Sequence, residues 1–203
     1  LHKLFVISSP SGGGKTSLIN KLFEDSRSAN FEKSISDTSR QKRQGDLEGK
    51  DYYFLSEKDF KDKIKKEEYV EYATVFGNFY GTSKEEIKTK YNNSNLILEL
   101  DWQGAYAVKE LFDDAKLIFL VPPSLDDLKQ RLIKRNLDSS EAIENRLSEA
   151  KKEISKSEMY DYLVLNDDFD KAFEDLSQIL FEGISPIDFN SRASKDLIKR
   201  LVE

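Results

Sequence analysis

Residues 8–17 read Ser8-Ser9-Pro10-Ser11-Gly12-Gly13-Gly14-Lys15-Thr16-Ser17, and two readings compete for them. Runs rich in Ser and Gly serve as flexible linkers, and they also serve where a backbone must wrap closely around phosphate. The flanks decide between the two. Leu4-Phe5-Val6-Ile7 is a short continuous apolar run, the pattern of a strand buried on both faces. Leu18, Ile19, Leu22 and Phe23 recur at helical spacing, so an amphipathic helix opens at Gly14 and Lys15. A strand, a glycine loop and a helix start, in that order, turn free N–H groups toward an anion. Lys15 adds a full positive charge near the outer phosphates, and the Thr16 hydroxyl can ligate Mg²⁺. The match to the general phosphate-loop pattern has one departure, Ser9 where its first glycine stands.

With 203 residues the chain has the length of one domain that carries inserted lobes. Charged residues make up 34% and apolar residues 38%, with 13 Phe and 9 Tyr, a globular composition rather than a disordered one. A formal net charge of −6 disfavours nonspecific binding to nucleic acid, although local arginine clusters can still hold a small anion. With no Cys, disulfides and thiolate metal sites are excluded, and with His2 the single histidine, so is a histidine-based triad. No run reaches the ~18 apolar residues that span a membrane, and no signal-peptide pattern opens the chain. A cytoplasmic enzyme, monomeric or homodimeric, is the expectation.

Three further apolar runs, Leu96–Leu100, Leu117–Val121 and Tyr162–Leu165, each precede a turn and a helical pattern. This alternation predicts a parallel sheet covered by helices. Helix starts are marked by Ser56 with Asp59, Ser83 with Glu86 and Ser124 with Asp127. Two intervals interrupt the alternation: a Tyr- and Gly-rich stretch over 34–95 that reads as a small mixed lobe, and a charged helical hairpin over 124–160. A core with two inserted lobes is the geometry of an enzyme that closes.

Within and between these intervals lie residues suited to phosphate and to a base. Arg40 and Arg43 offer planar forks for bidentate phosphate binding, and Tyr52 and Tyr80 offer phenol donors. Glu71 alternates with Val70 and Tyr72, so it faces away from them. Its carboxylate can accept both hydrogen bonds of the N1–H and N2–H₂ edge of guanine, or it can simply face solvent. Glu99 and Asp101 end an apolar strand at i and i+2, a spacing that aims two acids to one side, beside the crevice where a metal–phosphate group lies. Arg131 and Arg135 share one face of a helix, and Arg146 comes from the next. Three cations aimed at one place repel unless an anion joins them, or else they are spent in salt bridges.

Taken together, "SSPSGGGKTS", "SISDTSRQKRQGDLEGKDYYF", "VFGNFYGTS", "LELDWQGA", "RLIKRN", "ENRL" and "LVLNDDFDKA" resemble the guanylate kinase family in order and spacing, from about Lys3 to Phe181. The resemblance implies an α/β nucleoside monophosphate kinase fold with a five-stranded parallel core sheet (1–33, 96–123 and 161–203), a GMP-binding lobe (34–95) and a helical lid (124–160). It implies ATP and GMP or dGMP as substrates, with Mg²⁺. ATP would be held by Ser11, Gly12, Gly13, Gly14, Lys15, Thr16 and Ser17, with Asn166 and Asp167 on the adenine side. GMP would meet Ser36, Arg40, Arg43, Tyr52, Glu71, Tyr80, Thr82, Glu99 and Asp101. Lys15, Arg131, Arg135 and Arg146 would act on the transferring group, and Thr16 with Asp101, through water, on the metal. Asp46 stands where this family often has Glu, and Glu99 where Asp is frequent. Two other classes share parts of the pattern: scaffold domains that bind phosphopeptides without catalysis, and kinases for another nucleotide.

Overall fold

A computed structural model describes residues 2–75, 77–134, 140–188 and 191–203. The chain begins with β1 (Leu4–Ser8), α1 (Lys15–Glu24) and β2 (Phe31–Lys33). Next come β3 (Asp37–Thr38), β4 (Tyr53–Phe54), α2 (Glu57–Lys65), β5 (Tyr69–Val75), β6 (Asn78–Ser83) and α3 (Lys84–Tyr91). It continues through β7 (Asn95–Glu99), α4 (Trp102–Leu111), β8 (Lys116–Val121), α5 (Leu125–Lys134) and α6 (Ser140–Ser155), and closes with β9 (Tyr162–Leu165), α7 (Phe169–Ser177) and α8 (Arg192–Val202).

The predicted core sheet is present: five strands, all parallel, in the order β2-β7-β1-β8-β9. Successive side chains on a strand point to opposite faces, and each face here has its own helices. Leu4, Val6, Leu96, Leu98, Leu117, Phe119 and Leu163 pack to one side with Val108 of α4, Ile154 of α6 and Leu201 of α8. Phe5, Ile7, Ile97, Ile118, Leu120 and Val164 pack to the other with Leu18, Ile19 and Leu22 of α1 and Leu176 of α7. Because both faces are covered, these strands read as continuous apolar runs rather than alternating ones. Fully burying each such side chain contributes about 1.5–3 kcal/mol before entropy is counted.

The interval 34–95 builds a second sheet, ordered β4-β3-β6-β5, with one parallel pair and two antiparallel pairs. Its small core centres on Phe60 of α2, stacked on Tyr69 at 4.5 Å and on Phe79 at 5.3 Å between ring centroids. All three serine caps form as the sequence predicts: Ser56, Ser83 and Ser124 accept from the backbone N–H groups of Asp59, Glu86 and Asp127. α5 and α6 pair as the helical hairpin. The C-terminal helix α8 lies against α6, with Leu201 3% exposed, so its apolar stripe is spent on the core.

At the end of β7 lie two of the expected site acids, Glu99 and Asp101. The strand stops at Glu99, and Asp101 lies beyond it as the N-cap of α4, its carboxylate accepting from the Gly104 N–H at 2.9 Å. Between the two acids the Leu100 N–H donates to the Ile7 carbonyl at 3.3 Å, so the backbone stays tied to β1, and both acids interact electrostatically with Lys15.

Candidate active site

The phosphate loop leaves the C-terminal end of β1, the middle strand, where neighbouring chain segments diverge and open-sheet proteins bind their ligands. Gly14 caps α1 with φ +89°, a left-handed conformation, and the Asn166 amide stands where a β-carbon would project. Only glycine meets both conditions. Asn166, buried at the end of β9, donates from Nδ2 to the Gly13 carbonyl at 2.6 Å and so fixes the loop from behind. The concavity of the loop is lined by residues 9–17, Ser11, Gly12, Thr16 and Ser17 among them, and encloses about 210 Å³.

Lys15 opens α1, half-buried, and donates from Nζ to the Leu100 carbonyl at 3.2 Å. Burial holds its pKa below the ordinary lysine value, against the opposing charges of Glu99, Glu153 and Asp101. The Thr16 hydroxyl donates to Glu99 Oε1 at 2.5 Å, and Lys33 Nζ lies 2.7 Å from Glu99 Oε2. Burial would raise the Glu99 pKa, but the hydrogen bonds from Lys33 and Thr16 and the charges of Lys33 and Lys15 outweigh it, and the acid stays below its ordinary value. Among the described residues no group of three or more His, Cys, Asp or Glu could cage a metal. A hydroxyl and one carboxylate, all hard oxygen, suit an Mg²⁺ ion that arrives on nucleotide phosphates and keeps several waters.

A cavity of about 390 Å³ runs from Lys15, Thr16 and Glu99 to Ser36, Tyr52 and Thr82. At its far end the Thr82 hydroxyl donates to Glu71 Oε1 at 2.7 Å and lies 3.5 Å from the Ser36 hydroxyl. Glu71 sits on β5 beside a bulge between Tyr69 and Glu71. Burial raises its pKa above the ordinary carboxylate value, against the Thr82 hydrogen bond, and the Asp101 charge raises it further. Arg40, with a side chain 11% exposed, pairs with Asp46 at 2.9 Å and lies over the Tyr52 ring at 5.4 Å. Tyr52 meets Tyr80 edge-on at 5.7 Å. Asp46 also accepts from the Arg43 backbone N–H at 2.7 Å, while the Arg43 side chain is exposed.

From the helical hairpin, Arg131 donates to the Asn166 carbonyl at 2.7 Å and Arg146 to the Ser11 hydroxyl at 3.3 Å. These two cations therefore reach the phosphate loop and its backing strand rather than each other. Arg135 lies outside the described residues. Asp167, next to Asn166, is exposed. Four charged residues of the site were not singled out in the sequence. Lys33, Lys50 and Asp51 line the cavity, and Glu153 of α6 interacts electrostatically with Lys15 and Asp101. Lys33 reaches the site through the pairing of β2 with β7, and no local motif marks it.

Burial, with Asp101 and Glu149 nearby and Lys15 opposing, raises the Glu153 pKa to about 7. Between the ordinary value of 4.5 and about 7 the folded protein therefore binds more protons than the unfolded chain, and stability falls as pH rises through that window. Glu153→Gln is expected to raise the melting temperature of the nucleotide-free protein at pH 8 and to leave it nearly unchanged at pH 4, below the window. An equal shift at both pH values in thermal melts would contradict this account of the acid.

A parallel sheet with a phosphate loop on its central strand, a mixed-sheet lobe and a helical pair reaching that loop defines the α/β nucleoside monophosphate kinase class. The sequence matches the profile described as guanylate kinase over residues 1–183. It is 46% identical over 179 residues to a guanylate kinase of Wolbachia sp. subsp. Brugia malayi, covering 87% of this chain and 91% of that protein. It is 48% identical over 178 residues to one of Hahella chejuensis, covering 87% and 85%. The crystal structure of guanylate kinase from Anaplasma phagocytophilum superposes with a TM-score of 0.69 at 32% identity, covering 100% of this chain and 97% of that one. The chain belongs to the guanylate kinase family.

Proposed function

We propose that the protein transfers the γ-phosphoryl group of ATP to GMP or dGMP, giving ADP and GDP or dGDP. The observation that carries this reading is the single cavity that joins Lys15 and Thr16 at one end to Tyr52, Ser36 and Thr82 at the other. It suits two nucleotides that meet through their phosphates. Loop N–H groups and Lys15 receive the ATP phosphates, and Tyr52 in the cavity, with Arg40 and Tyr80 against its ring and Arg43 nearby in sequence, receives the GMP phosphate. Glu71, held by Thr82, accepts from the guanine edge, with Ser36 beside it.

No histidine base is available near the site, and none is needed, since a GMP phosphate oxygen is already a competent nucleophile. Catalysis then consists of alignment and charge neutralisation. Mg²⁺, when bound with ATP, would neutralise charge on the phosphates, with Thr16, Glu99 and, through water, Asp101 as its protein oxygens. Arg131 and Arg146 would exchange their Asn166 and Ser11 partners for phosphate oxygens as the 124–160 lid and the 34–95 lobe exclude water.

The direct test is coupled ADP release with GMP, AMP and UMP at equal concentration. GMP is expected to be turned over and the other two to be poor substrates, because neither presents paired N1–H and N2–H₂ donors to Glu71. Comparable turnover of AMP would remove guanine selection from the proposal.

A further inference from the structure

We propose that Lys33 is the resident counter-cation of the Glu99 carboxylate, a positioning residue that shares this acid with the incoming metal–nucleotide complex and so limits how tightly that complex is held. The inference rests on the kinase reading above. It begins with strand register. Lys33 ends β2 opposite Ile97 of β7, and Glu99 lies two residues further along β7 on the same face. That places the two side chains on a diagonal, within reach of a long side chain. The ammonium sits 2.7 Å from Oε2, and the Thr16 hydroxyl takes Oε1 at 2.5 Å. Both oxygens of the acid that touches the phosphate loop are therefore engaged.

The acid's side chain is 19% exposed and the lysine's 39%, and both line the cavity with Lys15 and Thr16. A dication carried to Thr16 meets a carboxylate whose charge Lys33 already balances, so ammonium and metal compete for the same negative charge. A purely structural purpose for the side chain is weakly motivated. The β2 backbone is already paired with β7, and the Lys33 carbonyl accepts from Lys90 Nζ at 2.8 Å. A pair this exposed adds little to stability. Its effect falls on Glu99 instead.

The test is titration of the full chain with Mn²⁺·ADP in the absence of GMP, followed through the Mn²⁺ paramagnetic signal, alongside nucleotide-free thermal melts. Lys33→Met is expected to hold Mn²⁺·ADP about five- to tenfold more tightly than wild type, since a like charge beside the dication is gone. Lys33→Arg should match wild type. In a Glu99→Gln background, replacing Lys33 with Met should bring no such gain, because the shared acid is absent. Lys33→Gln, neutral and still able to hydrogen-bond, carries the same expectation as Lys33→Met should the latter not fold. Unchanged or weaker Mn²⁺·ADP affinity in a folded neutral variant, with only the melting temperature lowered, would make Lys33 a strand staple and overturn the inference. Failure of the wild-type protein to take up Mn²⁺·ADP at all would instead overturn the kinase reading on which it rests.

Discussion

Lys15→Met is expected to keep ATP binding near the wild-type level while phosphoryl transfer falls about a thousandfold, the scale of losing a charged donor aimed at a transition state. The division follows from how the loop is built. The backbone cradle is set by Gly14 in its left-handed conformation and by Asn166 behind Gly13, and neither depends on the lysine side chain. Lys15 Nζ makes one hydrogen bond, to the Leu100 carbonyl at 3.2 Å, so the ammonium can turn toward phosphate at small cost. Equilibrium dialysis with ATP and single-turnover transfer to GMP separate the two quantities. Transfer within tenfold of wild type would remove Lys15 from the chemistry.

The second large effect lies at the other end of the cavity. Glu71→Gln should weaken GMP binding by roughly 10- to 100-fold, the range for charge-assisted hydrogen bonds lost in a partly buried site, and should leave ATP binding unchanged. The amide accepts one hydrogen bond from the guanine edge and turns an NH₂ toward the other donor. Thr82, donating to Oε1 at 2.7 Å, fixes which oxygen is already committed. pH gives an independent reading. Burial raises the Glu71 pKa, so the carboxylate takes up a proton at a higher pH than an ordinary glutamate, and GMP affinity should fall earlier as the solution is acidified. The Gln variant should lack that pH dependence. Calorimetric titration of both proteins with GMP between pH 4.5 and 8 checks this, and a GMP affinity equal to wild type at pH 8 would shift guanine reading to another residue.

The parallel sheet was legible because burial on two faces leaves a distinctive mark, short apolar runs such as Leu117–Val121 without polar alternation. Helix starts were legible because a serine cap acts over three residues. The phosphate loop was legible because its glycines, lysine and threonine are contiguous. What the sequence did not disclose depends on distant partners. Lys33 reaches Glu99 only after β2 pairs with β7, and Glu153 meets Lys15 only after α6 packs over the loop. Asp46 was noted only as a departure from the family pattern, and the structure shows it holding Arg40. The spacing of Glu99 and Asp101 was legible, but not that Asp101 is also the N-cap of α4, accepting from the Gly104 N–H.

The strand order also bears on how the nascent protein matures. β1 is the first strand in the chain, yet it lies at the centre of its sheet, and its neighbours are β7 and β8, with Leu4 opposite Leu96 and Phe5 opposite Lys116. Both pairings close long stretches of chain, which is entropically costly and slow. The β5–β6 hairpin, with Val75 opposite Asn78, involves no such closure. During synthesis the inserted lobe can therefore gain structure while the phosphate loop still hangs from an unpaired apolar strand. Leu4–Ile7 thus stays uncovered until β7 and β8 have been made, although in the finished protein it is among the most deeply buried stretches.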